Sequence, residues 1–136
     1  MEQVEARESA DDQKTILVVD DNEIILLFVS DLLRKGGHCV LSARDGASAL
    51  ELAKTHAGDI HLLLSDFQMP KMDGISLATE LTRSRPQVKV LMMSGFTAGM
   101  LVLNEGWHFL AKPFVSSQLR SLVASLLFPD KSRFRE

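Results

Sequence analysis

The sequence predicts a doubly wound α/β domain: a five-stranded parallel sheet with helices on both faces. Strand-like and helix-like segments alternate from Thr15 onward, the pattern of successive right-handed βαβ units. The runs ILVV, HLLLS and VKVLMM are apolar without polar alternation, as strands buried on both faces must be. With 136 residues and 46% hydrophobic content, the chain suits one domain with a sizeable core.

Taken in order, residues 1–13 hold five acidic residues and one arginine and have little to bury, so a poorly ordered acidic leader is expected. The domain proper is expected over 14–128, with 129–136 as a short tail. Strands are predicted at 15–19, 38–43, 60–65, 88–93 and 107–111. Ile25, Phe28, Val29, Leu32 and Leu33 make the first helical stripe, closed by Gly36-Gly37. Ala49, Leu50 and Ala53 make a second, with Asp45 as its N-cap, and Leu77, Ala78 and Leu81 a third that stops before Pro86. Leu119, Leu122, Val123, Leu126 and Leu127 form the last stripe, with Ser116 or Ser117 as cap and Pro129 beyond its end. Trp107 and Cys39 are expected to pack in the core.

Bulk properties exclude several classes. The formal charge is −3, which argues against binding DNA, where affinity rests on Lys and Arg neutralising phosphates. One cysteine rules out an internal disulfide, and no apolar run approaches a membrane span, so a cytoplasmic protein without a membrane partner is expected. His38, His56, His61 and His108 are scattered without ligand-like spacing, and no transition-metal site is assigned to them.

In a doubly wound sheet, ligands bind outside the carboxyl ends of the strands. The first strand ends at Asp20-Asp21, the third at Asp66, the fourth at Ser94 and the fifth at Lys112. Each has an ordinary explanation alone: Asp66 satisfying loop amides, Asp21 capping a helix, Ser94 turning a corner, Lys112 at the surface. Together they bring three carboxylates, a hydroxyl and an ammonium to one rim. Hard oxygen ligands of this kind suit Mg²⁺, and the whole set suits phosphoryl transfer with Asp66 as nucleophile.

The motifs VVDDNE (18–23), SDFQMPKMDG (65–74), MMSGF (92–96) and FLAKPF (109–114) resemble those of the receiver domain of bacterial two-component response regulators, over about 15–128. The resemblance implies a flavodoxin-like strand order 2-1-3-4-5 and phosphorylation of Asp66 by the phosphohistidine of a sensor histidine kinase or phosphotransfer protein. It implies Mg²⁺ held by Asp20, Asp21, Asp66 and the backbone carbonyl of Gln68. Ser94 and Lys112 would contact the phosphoryl oxygens, Lys112-Pro113 would be cis, and Ser94 and Phe109 would form the switch.

Two features depart from the family pattern. The switch aromatic is a phenylalanine, and only fourteen residues lie between Ser94 and Phe109, so a short fourth helix is expected around 98–104. The expected role is a stand-alone messenger that catalyses its own phosphorylation and dephosphorylation. Its output would pass to a protein partner through the face of the fourth helix, fifth strand and last helix, or through a phosphorylation-dependent homodimer. The alternatives are an adaptor that works without phosphorylation and a receiver cut from a hybrid kinase. A haloacid-dehalogenase-type phosphatase would need an acid where Gln68 stands, and an FMN protein a hydroxyl- and glycine-rich loop where Asp20 and Asp21 stand.

Overall fold

The computed structural model describes residues 13–95 and 106–129. Five parallel strands, β1 (Thr15–Val19), β2 (Cys39–Ala43), β3 (Leu62–Asp66), β4 (Lys89–Ser94) and β5 (Trp107–Ala111), form one sheet of order β2-β1-β3-β4-β5. The helices among the described residues are α1 (Glu23–Lys35), α2 (Gly46–Thr55), α3 (Gly74–Ser84) and α4 (Ser116–Leu127). This is the predicted doubly wound α/β class and strand order. The short helix expected around 98–104 lies outside the described residues, as do most of the leader and tail.

The apolar runs divide by parity. Ile16, Val18, Leu62, Leu64, Leu91 and Met93 point to the face covered by Leu26, Val29 and Leu33 of α1 and Leu119, Val123 and Leu126 of α4. Leu17, Val19, Leu63, Val90 and Met92 point the other way, onto Ala49 and Ala53 of α2 and Leu77, Ala78 and Leu81 of α3. Two cores on either side of one sheet explain why β3 is buried at all five positions.

Three helices start on side-chain caps just beyond a strand's carboxyl end. Asn22 accepts from the amides of Ile24 and Ile25, Asp45 from Ser48 at 2.7 Å, and Asp73 from Ser76 at 2.8 Å. Gly37 then ends the first helical segment with φ +97°, a conformation that costs glycine little. The last helix differs from expectation. Val115, not a serine, holds the N-cap position, and the Gln118 side chain accepts the Val115 amide at 2.9 Å. Ser116 and Ser117 are already the first and second residues of the helix, past the position from which a side chain caps. Cys39 also departs from expectation: it opens the edge strand β2 and is only half-buried. Trp107, half-buried, packs against the α2/α3 core as expected.

Gly74 is where the fold allows no side chain. A Cβ there would lie 2.5 Å from the Asp66 carbonyl oxygen and 2.8 Å from Met92 Sδ. The carbonyl is backbone of β3 and cannot swing aside, so Gly74→Ala must push α3 away from the end of that strand. A loss of about 1 to 3 kcal/mol is expected, the usual range for overpacking. Urea denaturation measures it, and a variant as stable as the parent would show that α3 is not seated this closely.

Candidate functional site

The carboxyl rim of the sheet is built from strand ends that the core fixes. Asp20 follows β1 with no exposed surface. Its amide donates to the Ala43 carbonyl at 3.2 Å, and its Oδ1 accepts the Asn22 amide at 2.8 Å. Asp66 is the last residue of β3, nine-tenths buried, and register places it beside Met93 of β4. The loop after it is tied back by Phe67 N–H donating to the Met93 carbonyl and Gly74 N–H to the Phe67 carbonyl. Within that loop Lys71 takes φ +73°, in the left-handed region that non-glycine residues enter rarely.

Lys112 reaches this point from beyond β5. Its amide donates to the Ser94 carbonyl at 2.7 Å, and the Lys112-Pro113 bond is cis, as the resemblance implied. Its ammonium then donates to Asp20 Oδ2 at 3.2 Å and Asp66 Oδ1 at 3.1 Å. Asp20, Asp21 and Asp66 each offer a carboxylate oxygen within 4.8 Å of the others, and Asp21 is exposed. The structure thus brings together four of the predicted site residues.

Ser94 is buried at 2% exposure, at the end of β4 and level with Ala111. By strand parity it lies on the same face as Phe109, whose half-buried ring packs against the α2/α3 core. The Phe109 and Phe67 rings are tilted by 58° with centroids 6.1 Å apart. Sequence reasoning missed the backbone of the site: Asn22 as partner of Asp20 and Gly74 beneath Asp66. The first had a signal in an Asn preceding an apolar helical stripe. The second had none, because a close approach of two elements leaves no local pattern.

Three carboxylates face one ammonium, so the site is short of positive charge. Two unit charges about 5 Å apart repel by roughly 3 kcal/mol at an effective dielectric of 20. Burial, first of all, raises the Asp66 carboxyl above its usual range, and the negative charges of Asp20 and Asp21 add to it. The Lys112 hydrogen bond pulls the other way and does not win. For Lys112, burial by itself would lower the ammonium, but its hydrogen bond to Asp66 and the charges of Asp20 and Asp66 together raise it. Oxygen donors clustered this way and lacking one or two positive charges fit a Mg²⁺ ion.

A parallel sheet whose carboxyl rim sets a buried aspartate among two further acids and a lysine is the arrangement of a receiver domain. The chain belongs to the response regulator receiver domain family, whose model matches residues 16–124. It is 36% identical to the response regulator receiver protein CpdR of Brucella abortus over 116 residues, 81% of this chain and 91% of that one. It is 32% identical to the sensor kinase CckA of the same organism over 83% of this chain, which spans 12% of the kinase's length. The response regulator TrrA of Thermotoga maritima, solved with Mg²⁺ and BeF, is 26% identical with a TM-score of 0.72, covering 83% of this chain and 98% of that one. The chain is therefore a receiver domain of two-component signalling, a class that binds Mg²⁺ at its acidic pocket and meets histidine kinases or phosphotransfer proteins.

The raised Asp66 carboxyl has a consequence for stability. A carboxyl whose folded pKa exceeds its unfolded value favours folding below the unfolded pKa and loses that contribution as pH rises through the folded one. Without metal, Asp66→Asn should therefore be more stable than the parent at neutral pH, with the gap closing as pH falls below the ordinary carboxylate range. Thermal melts in chelator across pH 4 to 8 (about the range spanned by carboxyl titration) measure this. A variant less stable than the parent at neutral pH would contradict it.

Proposed function

We propose that this chain accepts a phosphoryl group on Asp66 from a phosphohistidine and signals through protein contacts. The observation that carries the reading is Lys112, whose ammonium sits 3.1 Å from Asp66 Oδ1 while two more carboxylates stand within 4.8 Å. The ammonium occupies one carboxylate oxygen and leaves Oδ2 to attack. Asp66 Oδ2 forms a bond to phosphorus as the P–N bond breaks, and the electron pair stays on the departing imidazole nitrogen. Lys112 then faces the phosphoryl oxygens, and its charge opposes what builds up there during transfer.

Asp20, Asp21, Asp66 and the Gln68 carbonyl would hold Mg²⁺. Bound there, the ion supplies neutralisation of carboxylate and phosphoryl charge. Hydrolysis reverses the gain: water adds to phosphorus, the P–O bond to Asp66 breaks, and inorganic phosphate leaves. No separate small molecule is turned over.

Ser94 and Phe109 form the switch in this reading. They share one face of neighbouring strands, so movement of the Ser94 hydroxyl toward the phosphoryl group opens room for the ring. The signal leaves by the face around β5 and α4 to a protein partner or a second copy, not to DNA.

Incubation with acetyl phosphate and Mg²⁺ should add one phosphoryl group by intact mass. Asp66→Asn should abolish the addition, and Asp21→Ala should cut its rate at least about tenfold, since metal ligands and their supports are worth that much. Uptake undiminished in Asp66→Asn would overturn the assignment. Ser94→Ala should still be phosphorylated but give a smaller change in Trp107 fluorescence, and identical changes would count against the switch.

A further inference from the structure

The opposite, amino-terminal rim of the sheet carries a second polar cleft that phosphotransfer does not use. Its volume is about 200 Å³, and Lys14, Asp59, His61, Arg85 and Lys89 are among its lining residues. A water molecule's share of liquid volume is about 30 Å³, so the cleft has room for a phosphate-sized group and a few waters. Three fixed cations against one carboxylate give it a positive balance, in a chain whose net charge is −3. Among the described residues, Lys14, Arg85 and Lys89 form no ion pair.

These groups are held in place by neutral partners. The Arg85 guanidinium donates to the carbonyls of Ala53, His56 and Gly58 at 2.8 to 3.0 Å, which pins it below the end of α2. Lys89 donates to the Leu126 carbonyl at 2.7 Å, leaving its other N–H groups available. Lys14 lies over the Phe128 ring, 5.5 Å from its centroid. His61 Nδ1 accepts the Thr15 amide at 3.0 Å, so the neutral ring carries its hydrogen on Nε2 as a donor. Neutral partners, carbonyls for Arg85 and Lys89 and an aromatic ring for Lys14, hold the cations without cancelling their charge.

We propose that this cleft binds a small dianionic oxyanion of the phosphate class. Lys14 and Lys89 supply ammonium donors, His61 a neutral N–H donor, and Arg85 a positive charge behind them. Asp59 opposes the anion and limits its affinity. The field agrees: burial first, then the Lys14 charge, holds His61 below its usual range, with Asp59 opposing. An anion seated beside Lys14 would reverse that effect.

The test is a titration of the full chain with inorganic phosphate, in chelator and at constant ionic strength, followed by NMR at the His61 ring and Thr15 amide. Saturable shifts at both are expected, with the His61 titration moving to higher pH in phosphate. Lys14→Gln should weaken binding roughly threefold and Asp59→Asn should tighten it by a similar factor, as for single partly exposed charges. Shifts that fail to saturate or are matched by chloride would overturn the site. So would shifts confined to Lys112 and the carboxyl rim, or the two variants moving affinity in the same direction.

Discussion

A buried carboxylate without a counter-charge is among the costliest things a fold can contain. Asp20 has no exposed surface, and the Lys112 ammonium and the Asn22 amide are what hold it there. The same ammonium reaches Asp66, so one cation from the edge of the sheet serves acids at the ends of two interior strands. Everything else at the rim follows from that sharing. The charge is enough to bury the acids and too little to neutralise them, which leaves Asp66 poised and the cluster receptive to a further cation.

Most of this was legible in the sequence, and for physical reasons. Non-alternating apolar runs identify parallel strands because nothing polar can be tolerated on either face, and the first polar residue after each run therefore marks the rim. That logic places Asp20, Asp21, Asp66, Ser94 and Lys112 at the rim from the sequence. What stayed hidden depends on approaches between distant elements or on a shift of one residue. Gly74 lies against Asp66 because α3 seats there, and Cys39 is half-exposed because β2 is an edge, a property of strand order and not of the segment. The cap of α4 was misplaced for the second reason, since two adjacent serines offer a hydroxyl at the wrong step of the chain.

The two rims make a contrast that no local pattern displays. Helix starts and acids crowd the carboxyl end, while Lys14, Arg85 and Lys89 gather at the amino end, the last two held by backbone carbonyls. The carbonyls come from the ends of α2 and α4, where unpaired acceptors need donors in any case. Arg85 and Lys89 thus close two helices and concentrate charge with the same atoms.

Lys112 meets its two acids across 92 and 46 residues of chain. No part of the molecule short of the finished sheet can bring them together, because β5 must dock on β4 before its lysine comes within reach. Contacts of such long range are disfavoured early in folding by loop-closure entropy and are gained only with the completed topology. A nascent or partly unravelled chain therefore has its aspartate but not the ammonium that orients it. The assembled cluster of acids and ammonium is thus a property of the completed domain alone.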